Sequence, residues 1–186
     1  MVSEAISIDE YLESDTDVKF EFLYENFSIM KFLIKNYRSD LISEVMDQKA
    51  SNRRAENGDI GVRVQVSLGV NSPTESMAIN KTIIGKAIDE GFLDDEFFKD
   101  TDDRQELIRK VTCYHTVNAD WEAFSSKLNT MTISDQQILK PYLMKQKSLL
   151  DLASEMGIDY RSAIKRVYRL KKKLSDKVLD KIKRGM

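Results

Sequence analysis

The sequence predicts an all-α protein, and three observations predict it. Glycine (7 of 186 residues) and proline (2) are scarce, whereas turn-rich β folds use both freely. Apolar residues recur at steps of three and four through most of the chain. Strict apolar–polar alternation is confined to Val62, Arg63, Val64, Gln65 and Val66, too few residues to found a sheet, and this stretch reads as an extended segment.

Between residues 17 and 46, Leu23, Phe27, Met30, Ile34, Tyr37 and Leu41 step by four and three, with Phe22, Ile29 and Leu33 widening the stripe. The spacing predicts one long helix, or two broken near Ser39 and Asp40. Residues 47 to 60 are polar without a period and predict a linker or exposed loop. Ser72, Pro73 and Glu75 supply an N-cap, a first-turn proline and a capping-box glutamate. A helix is expected to start there, with Ala78, Ile79, Ile83, Ile84 and Ala87 following at helical spacing, and to stop at Gly91. Residues 94 to 106 crowd seven acidic side chains, but without the spacing or glycine turns of a cation cage, so they predict a solvated acidic loop and helix start. Helical spacing resumes over 107 to 117 and again over 121 to 128, where Trp121, Phe124 and Leu128 share a face. Cys113 and His115 fall in or beside these packed helices.

Ser134 or Asp135 is expected to cap a helix from Gln136 to about Met144, with Ile138, Leu139, Tyr142 and Leu143 inward and Pro141 bending it. Ser148 caps a short helix that Gly157 closes. Asp159 then caps a helix from Tyr160 through at least Lys173. Two helices joined by a turn at Gly157 form a helix-turn-helix pattern. Ala153 lets them cross closely, while Leu152, Met156, Ile158, Val167, Leu170 and Leu174 face inward.

Lys and Arg number 29 and Asp and Glu 31, a net charge of −2, which excludes a surface that coats nucleic acid everywhere. Residues 132 to 186 nevertheless hold 14 basic against 6 acidic side chains, and the rest of the chain 15 against 25. That asymmetry predicts an acidic helical association or regulatory domain over 1 to 127 and a basic DNA-binding domain over 128 to 186. One cysteine and one histidine leave no internal disulfide and no His-based metal site. With no glycine-rich phosphate loop and no Ser/His or Cys/His constellation, no enzyme, cofactor or metal is expected. No stretch approaches the roughly 20 apolar residues of a membrane span, and the opening MVSEAISIDE lacks a secretory pattern, so a cytoplasmic protein with no membrane partner is expected.

The outer side of the last helix carries Tyr160, Arg161, Ser162, Lys165, Arg166 and Arg169. Its first turn suits base edges in a major groove, and the later cations suit phosphates. Lys171, Lys172 and Lys173 extend the charge, and Ser148 opens the preceding helix. About five or six phosphate contacts are expected from this set.

The stretch 128 to 174, with DQQIL, SLLDLASEMGI and DYRSAIKRVYRLKKKL, resembles region 4 of bacterial sigma factors in spacing, departing from it at Ala163 and Pro141. VNSPTESMAINKTI, residues 70 to 83, is similar to the segment that opens a helix in phage regulators of the ArpU and RinA type, which also end in a sigma-region-4-like helix-turn-helix. The resemblance implies a sequence-specific regulator of phage or mobile-element late genes that binds double-stranded DNA, with RNA polymerase as a further partner. The alternatives are a sigma-like factor bound to polymerase core and a protein inhibitor built on a helix-turn-helix scaffold. The stripe over 22 to 41 is wider than one exposed helix leaves in water, which predicts either a homodimer or cover from helices around Ile83 and Trp121.

Overall fold

A computed structural model describes residues 7 to 56 and 73 to 184. The expected extended segment at 62 to 66 and the cap at Ser72 lie outside the described residues. All regular structure in the described residues is helical: α1 (Thr16–Glu25), α2 (Met30–Glu56), α3 (Pro73–Glu90), α4 (Asp95–Phe98), α5 (Arg104–Asn129), α6 (Ile133–Leu143), α7 (Leu149–Met156) and α8 (Tyr160–Arg184). The contacts divide the chain into two compact units, one formed by residues up to 34 together with those from 116 onward, the other by residues 35 to 115. The divisions fall inside α2 and α5, not near residue 127.

Several boundaries differ from the sequence expectation. The break in the first helical stretch lies at 26 to 29, because the side chain and backbone N–H of Asn26 both donate to the Phe22 carbonyl and end α1; Ser39 and Asp40 are mid-helix. Residues 47 to 56 are not linker but the last turns of α2. Their polar side chains are engaged: Lys49 Nζ donates to the Glu96 and Lys99 carbonyls at 3.0 and 2.6 Å, and Asn52 to Asp100 and Asp102. The two stretches at 107 to 117 and 121 to 128 are one continuous α5. The cap of α6 is Thr132, whose hydroxyl accepts from the Asp135 backbone, rather than Ser134 or Asp135. Gln136 fixes that start by donating to the Asn129 and Met131 carbonyls. Pro141 is tolerated because it lies in the last turn of α6, and its own carbonyl accepts from Gln146 and Lys147.

In the unit formed by residues 35 to 115, Leu41, Ile42 and Val45 pack with Ile84, Ile88, Phe97, Leu107 and Val111. Gly85 sits where Arg38 crosses α3 to pair with Asp89 at 2.5 Å; a Cβ there would meet Arg38 Nη2 at 2.9 Å. Cys113 is buried, and His115 Nε2 lies 2.8 Å from the Ile88 carbonyl oxygen. A largely apolar groove of about 520 Å³ runs past Met46, Ile83, Ala87, Phe92 and Phe97.

In the other unit, Phe27 packs on Trp121 and Phe124, with ring centroids at 4.9 and 5.7 Å. Lys19 is fully buried beneath the Tyr11 ring, and the Tyr11 hydroxyl donates to Asp120. Of the apolar stripe, Phe22, Leu23, Met30, Ile34 and Leu41 are buried and Phe27, Leu33 and Tyr37 half-buried, while Ile29 stays exposed. The helix around Ile83 contributes through Ile84 and Ile88, while Ile83 itself is exposed.

Candidate nucleic-acid interface

The pair α7 and α8 is built by local sequence chemistry. Ser148 and Asp151 form a reciprocal capping box at the start of α7. At its end Gly157 takes φ +62°, its N–H donates to the Ser154 carbonyl, and the Ile158 N–H donates to the Ala153 carbonyl. These two bonds are a Schellman motif, which fixes the direction in which the chain leaves the helix. Two residues later Asp159 accepts the Ser162 backbone N–H at 3.0 Å and opens α8. The bonds from Ser162 hold the Asp159 carboxyl below its ordinary range, so the cap stays ionised.

On α8, Ala163, Val167, Leu170, Leu174 and Val178 are buried at the three–four spacing that keeps one face inward. Each of the four larger side chains gains about 1.5–3 kcal/mol on burial. Ala163 is wholly enclosed, and Ala153 on α7 is nearly so. With Ala163 wholly enclosed, a larger aliphatic at that position would have to displace its neighbours. Part of the cover on the inner face comes from α1, which packs along α8.

The residues expected to meet DNA separate into three groups. Tyr160, Arg161, Lys165, Arg166, Arg169 and Lys172 are exposed, and none forms an ion pair with a described acidic residue. Arg166 stands near enough to Asp135 to help lower its pKa. Lys171 and Lys173 are committed elsewhere: Lys171 Nζ lies 2.5 Å from Glu21 and 4.6 Å from the Tyr24 ring centroid, and Lys173 Nζ lies 2.6 Å from Asp135. Burial pushes the Tyr24 phenol well above its ordinary pKa, so it stays neutral beside Lys171. Ser148 and Ser162 form a third group, since their hydroxyls donate to Asp151 and Asp159 within their own caps.

Sequence reasoning passed over Ile164 and Tyr168, which lie on the outer side of α8 and are 40% and 66% exposed. The signal was present, since neither falls on the 163, 167, 170, 174 row that the core requires. Among the described residues no three His, Cys, Asp or Glu side chains are grouped so that they could hold a metal ion. No helix in the described residues is long and apolar enough to cross a membrane. No family model matches this chain, and neither a curated protein nor a solved structure matches it.

Proposed function

We propose that this protein is a sequence-specific, double-stranded DNA-binding transcriptional regulator, of the kind that serves phage or mobile-element late genes, with α7 and α8 as its helix-turn-helix. The observation that carries the reading is the outer face of α8, where Arg161, Lys165, Arg166, Arg169 and Lys172 stand exposed and unpaired with described acids on a helix whose opposite face is buried. Unpaired cations in a row are matched by a polyanion, and a helix presenting them from a rigid Schellman turn fits a major groove. Arg161, in the first turn, reaches base edges, while Lys165, Arg166, Arg169 and Lys172 meet phosphates.

The test uses the full chain without RNA polymerase and a pool of randomised duplexes. Wild type retards duplex DNA, enriches one sequence and gives a discrete footprint. Arg161→Ala changes the enriched sequence at a cost of about 1–3 kcal/mol. No retardation of any duplex at about 50 mM salt would overturn the proposal, and binding only when polymerase core is supplied would favour the sigma-like alternative.

A further inference from the structure

The outer face of α8 carries two rows, each advancing by four residues. One is basic, with Arg161, Lys165 and Arg169; the other is Tyr160, Ile164 and Tyr168, which are 49%, 40% and 66% exposed. At 100° per residue Tyr168 lies about 20° around the helix from Arg161, and Ile164 about 60°, so the two rows present themselves together. The fold does not call for this second row. The core takes Ala163, Val167, Leu170, Leu174 and Val178, and the Tyr168 hydroxyl makes no hydrogen bond with a described residue.

Resting on the DNA-binding reading, we propose that Ile164 and Tyr168 contact the C5-methyl groups of thymines, so that the preferred site places T·A pairs opposite the first two turns of α8. Isoleucine has no donor or acceptor, and the thymine methyl is the apolar feature of a major-groove base edge. The flanking cations decide the occupant. Arg161, Lys165, Arg169 and Lys172 have no described acidic partner, and an apolar strip framed by four such charges matches an anionic groove that displays methyl groups. Ile164, early in the helix, sits where groove-reading helices touch bases, and Tyr168 follows one turn on.

The experiment uses the full chain and the duplex enriched by wild type, with each thymine of the footprint replaced in turn by deoxyuridine, which lacks only the methyl. At one or two positions affinity falls about fourfold, the worth of one buried methyl group. Ile164→Ala binds the thymine and uracil duplexes equally, at the weaker level, whereas Arg161→Ala still distinguishes them. Alanine favours the helix at an exposed site, and an unchanged circular dichroism melt confirms that Ile164→Ala is folded. If no uracil substitution changes the affinity while Arg161→Ala still shifts the enriched sequence, the methyl contact is refuted and the DNA-binding reading stands. If Ile164→Ala weakens both duplexes alike, Ile164 meets a sugar or a protein, and the proposal falls. If wild type binds no duplex, both fall together.

Discussion

Removing Lys165 should flatten the salt dependence of DNA binding, and removing Lys171 should not. Both are lysines on α8 six residues apart, and from sequence both are phosphate contacts. The structure separates them, because Lys171 is paired with Glu21 and lies against the Tyr24 ring, while Lys165 has no described acidic partner. Excluding Lys171 and Lys173 leaves Lys165, Arg166, Arg169 and Lys172, two fewer than the upper sequence expectation. Four phosphate contacts at about 0.9 each predict that log affinity falls with log salt at a slope of about −3.6. Between 50 and 200 mM salt that is roughly a 150-fold loss of affinity. Lys165→Ala lowers the slope to about −2.7 and the loss to roughly 40-fold, whereas Lys171→Ala leaves the slope at its wild-type value. Fluorescence anisotropy with an end-labelled duplex at five or six salt concentrations measures all three slopes. Equal flattening by both substitutions would refute the division of α8 into free and committed cations, and a wild-type slope near zero would refute the phosphate contacts altogether.

Gly157→Ala should destabilise the protein by about 1–2 kcal/mol, since φ +62° is costly for any residue with a Cβ, although no atom lies within 4 Å to obstruct one; denaturant titration measures this, and Gly157→Asn should cost less. Stability should fall on acidification below about pH 4, because hydrogen bonds from Arg38 to Asp89 and from Lys173 to Asp135 depress both carboxyls below their ordinary values. A group whose folded pKa is lowered contributes stability above its unfolded pKa and loses it as pH falls through the folded one. Thermal melts from pH 6 to pH 2.5 test this, and Asp135→Asn should reduce the acid sensitivity.

What the sequence reveals follows from how local the determining chemistry is. The α7–turn–α8 boundaries are legible because Ser148, Gly157 and Asp159 each act within four residues of themselves. The end of α2 is illegible for the opposite reason. DQKASNRRAE has no apolar period, and its helical turns are held by carbonyls and carboxylates at 96 to 102, some 50 residues away. The start of α6 offers three cap-forming residues, Thr132, Ser134 and Asp135, and Gln136 selects among them through bonds to the preceding turn. At the candidate interface, charge is visible in the sequence but commitment is not. Nothing local distinguishes Lys171 from Lys172, because the acid that claims Lys171 lies 150 residues earlier.

The pairing of α1 with α8 also sets the order in which the molecule can be completed. Glu21 leaves the ribosome long before Lys171 does, and at about 5–20 residues per second the interval between the two helices is on the order of ten seconds. Throughout that interval the intervening helices can form and α1 can pack on α5 through Phe20 and Phe124, but its contact with α8 has to wait. The unit containing α8 therefore closes only after residues 35 to 115, which separate its two stretches in sequence, have been synthesised, a non-local closure of the kind that slows folding. A fragment cut at residue 127 would carry α8 without Glu21 and Tyr24. Its inner helix face would lose part of its cover, so the natural unit of expression for the candidate interface is the whole chain.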